Sequence, residues 1–200
     1  MTVAGPPRIG LLGGTFDPIH RGHLAAACAV RDALALDTVL LVVANEPWQK
    51  EGTRPITPAA DRLAMVEVAA ADVNRVEASR IELDRGGVTY TIDTVEQLRA
   101  ERPGAVFYLV VGEDVAAQLG TWHRADELAH LVELVVVTRP GGPVAPSPAG
   151  WRSAAVPMVP VPESSTGIRE RIEAGLPIGD AVPPPVVRYI EQHGLYAGSG

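Results

Sequence analysis

Residues 9–23 read IGLLGGTFDPIHRGH, a short apolar run followed by two glycines and then two histidines. This order predicts a strand, a glycine turn and the start of the alanine-rich helix that comes next. Glycines let a ligand approach the backbone, and the free N–H groups at a helix start attract anions. The segment therefore predicts a phosphate site at Gly13 and Gly14, with His20 and His23, spaced three apart, on one helix face.

The two histidines have an electrostatic consequence. An imidazolium in the first turn of a helix opposes the helix dipole by roughly 0.3 to 1 kcal/mol, and a bound phosphate reverses the sign of that interaction. The alternative for this segment taken alone is a strand, turn and helix corner in which the histidines only cap the helix or pack against it.

Apolar runs alternate with helical patterns along the rest of the chain. Continuous aliphatic runs suit strands buried on both faces of a parallel sheet. The alternation predicts an α/β fold, a Rossmann-like doubly wound parallel sheet with a small C-terminal helical cap. Strands are predicted at residues 38–44, 75–83, 106–111, 134–138 and 154–159, and helices at residues 22–36, 58–71, 91–102, 125–131, 164–174 and 185–192.

The length of 200 residues and a hydrophobic content of 46% are sufficient for a single core. We therefore expect one domain over residues 1–200, with a helical C-terminal subdomain at residues 164–200. Ligands of doubly wound sheets bind at the carboxyl ends of the strands near the switch point. The glycine turn after the first strand lies at that edge.

The net charge of −7 argues against a nucleic-acid or anionic-membrane surface, which needs a broad basic field. Local positive groups must therefore meet any anionic ligand. Cys28 is the only cysteine in the sequence, so neither an intrachain disulfide nor a cysteine-based zinc cluster can form. The chain begins without signal-peptide features and has no apolar run near the roughly 20 residues that span a bilayer, so the cytoplasm is the expected location.

Residues 13–23 resemble the GGxFDPxHxGH signature of the bacterial nicotinate-nucleotide adenylyltransferases, within the nucleotidyltransferase superfamily that shares HxGH. Residues 164–169, SSTGIR, resemble the family's second signature, SSTxIR. The resemblance extends from residue 8 to residue 196, and the proline-rich residues 140–162 are the part it explains least. Further similar segments are residues 89–94 (TYTIDT), 112–114 (GED), 121–123 (TWH) and 185–196.

The resemblance implies two neighbouring ligand sites. One binds ATP and the other binds nicotinate mononucleotide. In the nicotinate mononucleotide site, the Trp122 indole stacks on the pyridine ring, while the backbone N–H groups of Thr91 and His123 hold the pyridine carboxylate. The implied ATP site consists of Gly13, Gly14, Thr15, Phe16, His20, His23, Gly112, Asp114, Ser164, Ser165, Thr166 and Arg169. The implied nicotinate mononucleotide site consists of Gly14, Thr15, Phe16, Lys50, Thr91, Trp122 and His123. The implied catalytic group consists of His20, His23, Lys50, Arg139 and Arg169.

The implied reaction transfers AMP from ATP to nicotinate mononucleotide, giving nicotinate adenine dinucleotide and pyrophosphate in NAD biosynthesis. The attacking phosphate oxygen is already an anion, so the protein acts by positioning and charge stabilisation. Mg²⁺ is expected with ATP, and no metal site built by the protein is expected.

Three alternatives stay open at this stage. The chain could be a sister nucleotidyltransferase acting on nicotinamide mononucleotide, one acting on phosphopantetheine, or a nucleotide sensor without catalysis. The sequence also leaves open whether the protein is a homo-oligomer and whether residues 45–57 and 140–162 close over the site.

Overall fold

A computed structural model describes residues 5–46, 55–139, 148–159 and 161–197. The strands are β1 (Arg8–Gly14), β2 (Thr38–Val43), β3 (Val76–Ser79), β4 (Val106–Gly112), β5 (Glu133–Thr138) and β6 (Ser153–Pro157). The helices are α1 (Arg21–Ala33), α2 (Ala59–Ala70), α3 (Ile81–Arg85), α4 (Thr91–Glu101), α5 (Glu113–Ala116), α6 (Ala125–Leu131), α7 (Ser165–Glu173) and α8 (Pro184–His193). A short 3-10 turn spans Leu119–Thr121.

These six strands form one sheet in the order β3-β2-β1-β4-β5-β6, and each neighbouring pair is parallel. The order changes direction between β1 and β4, which is the switch point of a doubly wound sheet. The predicted Rossmann-like α/β fold is therefore confirmed. A cleft at the carboxyl ends of β1 and β4 is the expected ligand position.

Both faces of the sheet are covered, which explains the unbroken apolar run of β2. Val39, Leu41 and Val43 pack into a core shared with residues of α1, α2, α7 and α8. Leu40 and Val42 point the other way, into a core shared with residues of α4 and α6. Because successive strand residues face opposite sides, a strand between two helical layers needs apolar residues at every position.

The predicted strand at residues 75–83 is wrong in its second half. Strand β3 ends at Ser79, and Ile81–Arg85 form the short helix α3. The apolar residues Ile81 and Leu83 alternate with polar ones and so imitate a strand. The chain turns instead, an Arg80–Asp84 ion pair at 2.9 Å spans one helical turn, and Glu82 is buried against a neighbouring helix.

Every other predicted helix and strand is present, with its ends shifted by a few residues. Helix α5 and the 3-10 turn, both after β4, were not predicted because each is too short to show a period. At the C-terminus, α8 starts with Pro184 and ends at Gly194, whose φ of 60° suits a glycine. Helix α8 packs on α2, where the Tyr189 hydroxyl donates a hydrogen bond to Asp61 at 2.9 Å. Each helix in the described part of the chain is too short or too polar to cross a membrane.

Candidate functional site

A cavity of about 250 Å³ lies at the carboxyl ends of β1 and β4. The sheet supplies its floor, and the start of α4 and the segment before α6 contribute further lining residues. Of the predicted ligand residues, the cavity is lined by Gly13, Gly14, Thr15, Thr91, Gly112, Trp122 and His123. Segments that are distant in sequence are thus brought together at the switch point.

Gly13 and Gly14 are glycines for different reasons. A Cβ atom at Gly13 would meet nothing within 4 Å, so the backbone there is open. A Cβ atom at Gly14 would lie 2.9 Å from the Phe16 ring, which is buried with 2% of its surface exposed. That both glycines admit a ligand stays a prediction, and Gly14, which also lines the cavity, must in addition be small because of Phe16.

His20 and His23 form an unusual capping box at the start of α1. His20 is the N-cap residue, and its Nδ1 accepts a hydrogen bond from the Gly22 N–H at 3.2 Å. His23 Nδ1 accepts a hydrogen bond from the His20 N–H, also at 3.2 Å. Because both Nδ1 atoms accept, the proton of each neutral ring lies on Nε2. The two rings, 3.8 Å apart between centroids, thus each carry an Nε2–H donor.

Burial lowers the pKa of His20 to about 4, although the Glu163 carboxylate raises it in part. His20 is therefore a neutral ring near pH 7. The sequence analysis expected a charged imidazolium in the first turn of the helix, at a cost in free energy. That expectation is wrong for His20, because its ring is neutral and it caps the helix from outside the first turn. A triphosphate at this position would raise the pKa of His20, because a nearby negative charge favours the imidazolium.

Gly22 has a role that the sequence analysis missed. A Cβ atom there would lie 3.0 Å from both Cε1 and Nδ1 of the His20 ring. That distance is shorter than ordinary van der Waals contact, so a side chain at this position would push the ring away. The glycine between the two histidines thus leaves room for the ring that caps the helix.

Side chains of the second signature, residues 164–169, donate hydrogen bonds to backbone carbonyl groups of the first signature, residues 13–23. The Ser165 hydroxyl donates a hydrogen bond to the Pro18 carbonyl at 2.9 Å, and Arg169 Nη1 donates one to the Asp17 carbonyl at 2.6 Å. Ser164 caps α7 by accepting the Gly167 N–H at 3.0 Å. Thr166 Oγ1 accepts a hydrogen bond from Arg169 Nη2 at 3.0 Å. These contacts place Ser164, Ser165, Thr166 and Arg169 beside the segment that leads to His20.

The remaining predicted site residues are not all brought to the cavity. Asp114 is exposed in the first turn of α5, directly after Gly112. Arg139 is exposed just beyond β5 and does not line the cavity. Phe16 is buried and contacts His23 edge to face at 4.9 Å between ring centroids, so its side chain belongs to the core. Lys50 lies outside the described residues.

Glu82 is a cavity residue that sequence reasoning missed. Only 5% of its surface is exposed, and its Oε1 accepts a hydrogen bond from the Thr94 hydroxyl at 2.6 Å. Burial raises the pKa of Glu82 to about 7, against the lowering effects of Thr94 and Arg85. The available signal was weak, since a glutamate between Ile81 and Leu83 also fits the exposed face of a strand.

Comparisons with known proteins identify the family of the chain. A family model described as cytidylyltransferase-like matches residues 11–171. A Corynebacterium kroppenstedtii protein named "Probable nicotinate-nucleotide adenylyltransferase" is 45% identical over 197 residues, which cover 97% of this chain and 93% of that protein. A Saccharopolyspora erythraea protein of the same name is 46% identical over 196 residues, covering 96% and 90% of the two chains. The chain belongs to the nicotinate-nucleotide adenylyltransferase family.

Membership of this adenylyltransferase family confirms the resemblance seen in the two signatures, and it makes the chain a nucleotidyltransferase enzyme. The fold also matches that of a solved structure, the Plasmodium falciparum nicotinic acid mononucleotide adenylyltransferase complexed with NaAD. The TM-score is 0.75 with 17% identity, covering 95% of this chain and 97% of that one. At this identity the likeness concerns the fold of the family.

Proposed function

We propose that this chain transfers AMP from ATP to nicotinate mononucleotide, giving nicotinate adenine dinucleotide and pyrophosphate. The observation that carries the proposal is that one cavity holds Thr91 and Trp122 next to the glycine end of β1. From that end, the Phe16 ring links Gly14 to His23. An acceptor site and a phosphate site are thus connected over a short distance.

The features around Thr91 support binding of an aromatic acid. Thr91 is the first residue of α4, and the N–H groups of a first helical turn have no partner within the helix. They favour a carboxylate at that end. Trp122 lies at the same cavity, and its Nε1 is buried without a hydrogen-bond partner in the described structure. We propose that the pyridine ring stacks on Trp122 and that its carboxylate meets the N–H groups of Thr91 and His123.

The histidine pair supports binding of the triphosphate. In the proposed reaction, a phosphate oxygen of nicotinate mononucleotide attacks the α-phosphorus of ATP, and the bond from that phosphorus to the pyrophosphate oxygen breaks. The nucleophile needs no deprotonation, so the protein supplies position and charge stabilisation. We assign the Nε2–H donors of His20 and His23 to phosphate oxygens, with His23 stabilising the charge that develops in the transition state.

The remaining charge on the triphosphate falls to three cationic side chains and to the metal. We propose that Arg169, Arg139 and Lys50 neutralise phosphate oxygens and that Mg²⁺ enters as part of MgATP, where it would offset further phosphate charge. Within the described ranges, no group of three or more histidine, cysteine, aspartate or glutamate side chains is arranged for a metal. We also propose ATP and nicotinate mononucleotide as partners and the cytoplasm as the location.

The test is pyrophosphate release from MgATP with four acceptor conditions in parallel: nicotinate mononucleotide, nicotinamide mononucleotide, phosphopantetheine and no acceptor. We expect release with the nicotinate compound well above release with the nicotinamide compound. Release only with phosphopantetheine would keep the phosphate site but reject the roles of Thr91 and Trp122. Tight ATP binding without release under any condition would favour a nucleotide sensor.

A further inference from the structure

Arg62 of α2 is buried, with only 1% of its surface exposed, although arginine is one of the residues least often buried. Its guanidinium donates hydrogen bonds to four backbone carbonyl oxygens of the described chain. Nη1 reaches Thr15 at 2.8 Å and Ala44 at 2.7 Å. Nε reaches Thr57 at 2.8 Å, and Nη2 reaches Asn45 at 3.0 Å. Each acceptor belongs to a connecting segment at the site edge of the sheet.

These carbonyl groups come from three different segments. Thr15 follows β1 and begins the segment that leads to His20, whereas Ala44 follows β2. Thr57 lies just before α2, on the return of the chain to that helix. Strands β1 and β2 are neighbours, and both Thr15 and Ala44 line the cavity. Arg62 therefore binds the residues that follow two adjacent strands, β1 and β2, at the proposed active site.

The charge of Arg62 is balanced by a buried acid. Asp17 is 1% exposed, and its attraction opposes the burial that lowers the pKa of Arg62. Oδ1 of Asp17 also accepts a hydrogen bond from the Tyr196 hydroxyl at 2.7 Å. The carboxyl group that offsets the charge of Arg62 is thus itself held in place.

The arrangement fixes geometry in addition to any contribution it makes to fold stability. Replacing a buried ionic group by a well-packed apolar side chain of similar volume is often neutral or stabilising. What an apolar side chain or a lysine cannot do is hold carbonyl groups from several segments at fixed mutual distances. A guanidinium does so because its N–H groups lie in one plane and point in fixed directions.

We propose that Arg62 is a positioning residue of the transfer reaction, which sets the distance between the segment that starts at Thr15 and the exit of β2 at Ala44. This inference rests on the proposed adenylyl transfer. Displacing reacting groups by about 1 Å can lower a rate roughly 100-fold. Loss of the guanidinium would loosen the β1 segment, and with it the placement of His20 and His23 relative to the acceptor.

Three variants test the proposal. Arg62→Lys keeps the cation but not the planar set of donors, and Arg62→Met removes the charge at similar length. Val66→Ala is the matched control, since Val66 is 0% exposed on the same helix and its truncation lowers stability without touching these carbonyl groups. Urea unfolding measures the stability of each variant. Pyrophosphate release is then measured under conditions in which each variant is fully folded, and it gives kcat and the KM for both substrates.

We expect kcat of Arg62→Lys to fall at least about 10-fold, with KM for either substrate changed less than about 3-fold, because a positioning residue acts on the transition state. Val66→Ala should keep kcat within about 2-fold even where it is the less stable variant. A folded Arg62→Lys protein with wild-type kcat overturns the proposal. So does a kcat loss in Val66→Ala that matches the loss in Arg62→Lys. Arg62→Met is expected to follow Arg62→Lys, and if it does not fold, the lysine variant decides alone.

Amide hydrogen exchange adds a readout that does not depend on turnover. We expect Arg62→Lys to speed exchange at the Ala44 N–H, which donates a hydrogen bond to the Gly14 carbonyl at 3.0 Å beside the released Thr15 and Ala44 carbonyl groups, and Val66→Ala to leave that exchange unchanged relative to the core strands. Unchanged exchange in Arg62→Lys would refute the role of Arg62 and leave the proposed function untouched. Absence of pyrophosphate release by the wild-type protein refutes the proposed function, and the role of Arg62 in that reaction with it.

Discussion

The Tyr196 hydroxyl donates a hydrogen bond to Asp17 Oδ1 at 2.7 Å. This contact joins the end of the described chain to the first signature, beside the corner that leads to His20. Asp17 is almost fully buried, and burial together with the neighbouring acid raises the pKa of Tyr196. The hydroxyl is therefore a neutral donor under physiological conditions. Through this bond the C-terminal segment helps to hold residues 15–20 between β1 and α1, the proposed phosphate corner.

Tyr196→Phe should lower the free energy of unfolding by about 1.5 to 3 kcal/mol, since it leaves a buried acid without one of its donors. Tyr189→Phe is the matched control. It deletes the same hydroxyl from a partly buried bond to Asp61, away from the phosphate corner, and should cost about 1 kcal/mol. Urea unfolding of both variants measures the difference. Equal losses would show that the Asp17 contact has no special weight.

His23→Ala should lower turnover at least about 100-fold, the scale for removing one donor that stabilises transition-state charge. The fold should persist, because His20 remains to cap α1. His193→Ala, at the exposed end of α8, is a suitable control and should keep wild-type turnover. Steady-state pyrophosphate release provides the measurement. Near-wild-type activity of His23→Ala would remove His23 from the proposed mechanism.

The low pKa of His20 predicts a dependence of stability on pH. The folded-state pKa of about 4 lies below the ordinary value of 6.5, so the unfolded chain binds the proton first. This contribution to stability is complete above pH 6.5 and is lost as the pH falls to about 4, with a total on the order of 2 to 3 kcal/mol. His20→Asn keeps an N-cap side chain without the titration. Because Glu82 titrates in the opposite sense over an overlapping range, the comparison is with the wild type at each pH: the unfolding free energy of His20→Asn minus that of the wild type should fall as the pH rises from 4 to 6.5. A difference that does not change with pH would contradict the assignment.

The raised pKa of Glu82 predicts the opposite dependence of the unfolding free energy on pH. Its folded-state pKa of about 7 lies above the ordinary 4.5, so the folded protein binds the proton more tightly. The contribution is complete below pH 4.5 and is lost as the pH rises through about 7, with a magnitude on the order of 2 to 3 kcal/mol. The unfolding free energy of Glu82→Gln minus that of the wild type should therefore rise as the pH rises from 4.5 to 7, and a difference that does not change with pH would contradict the assignment. The control is Glu101→Gln, an exposed carboxyl at the end of α4, which should leave the profile intact.

Trp122→Leu should raise KM for nicotinate mononucleotide by about 3- to 10-fold, because it removes an aromatic contact worth roughly 0.5 to 1.5 kcal/mol. KM for ATP should stay near the wild-type value. Trp151→Leu is a poor control because Trp151 is a buried core residue. Trp122→Phe serves better, since it keeps a ring and should recover most of the affinity. Equal KM values in the leucine and wild-type proteins would argue against stacking.

Some of the site was predictable because its information is local. The strand, glycine turn and helix around residues 9–23 are specified by neighbouring residues, and a second signature with matching chemistry pointed to one reaction. The same local reasoning failed at Ile81 and Leu83. There the alternation of apolar and polar residues is shared by a strand and by a short helix that buries Glu82.

The roles of the histidines show a second limit. Their spacing predicted that they would lie together, and they do. The neutral state of His20 depends on its burial, and the tautomers of the two rings depend on the backbone N–H groups of Gly22 and His20, because a hydrogen bond to Nδ1 decides which nitrogen carries the proton. A spacing pattern contains none of that information.

By itself, the sequence determined the fold class and the family, since each follows from periodicity or from consecutive residues, and it predicted a phosphate site after β1. The tertiary structure alone decided that Arg62 holds carbonyl groups after β1 and β2, that Glu82 faces the cavity and that Tyr196 holds Asp17. Each of these contacts joins residues far apart along the chain. They meet only because the sheet order places β1 between β2 and β4, and a contact between distant residues leaves no mark in a local pattern.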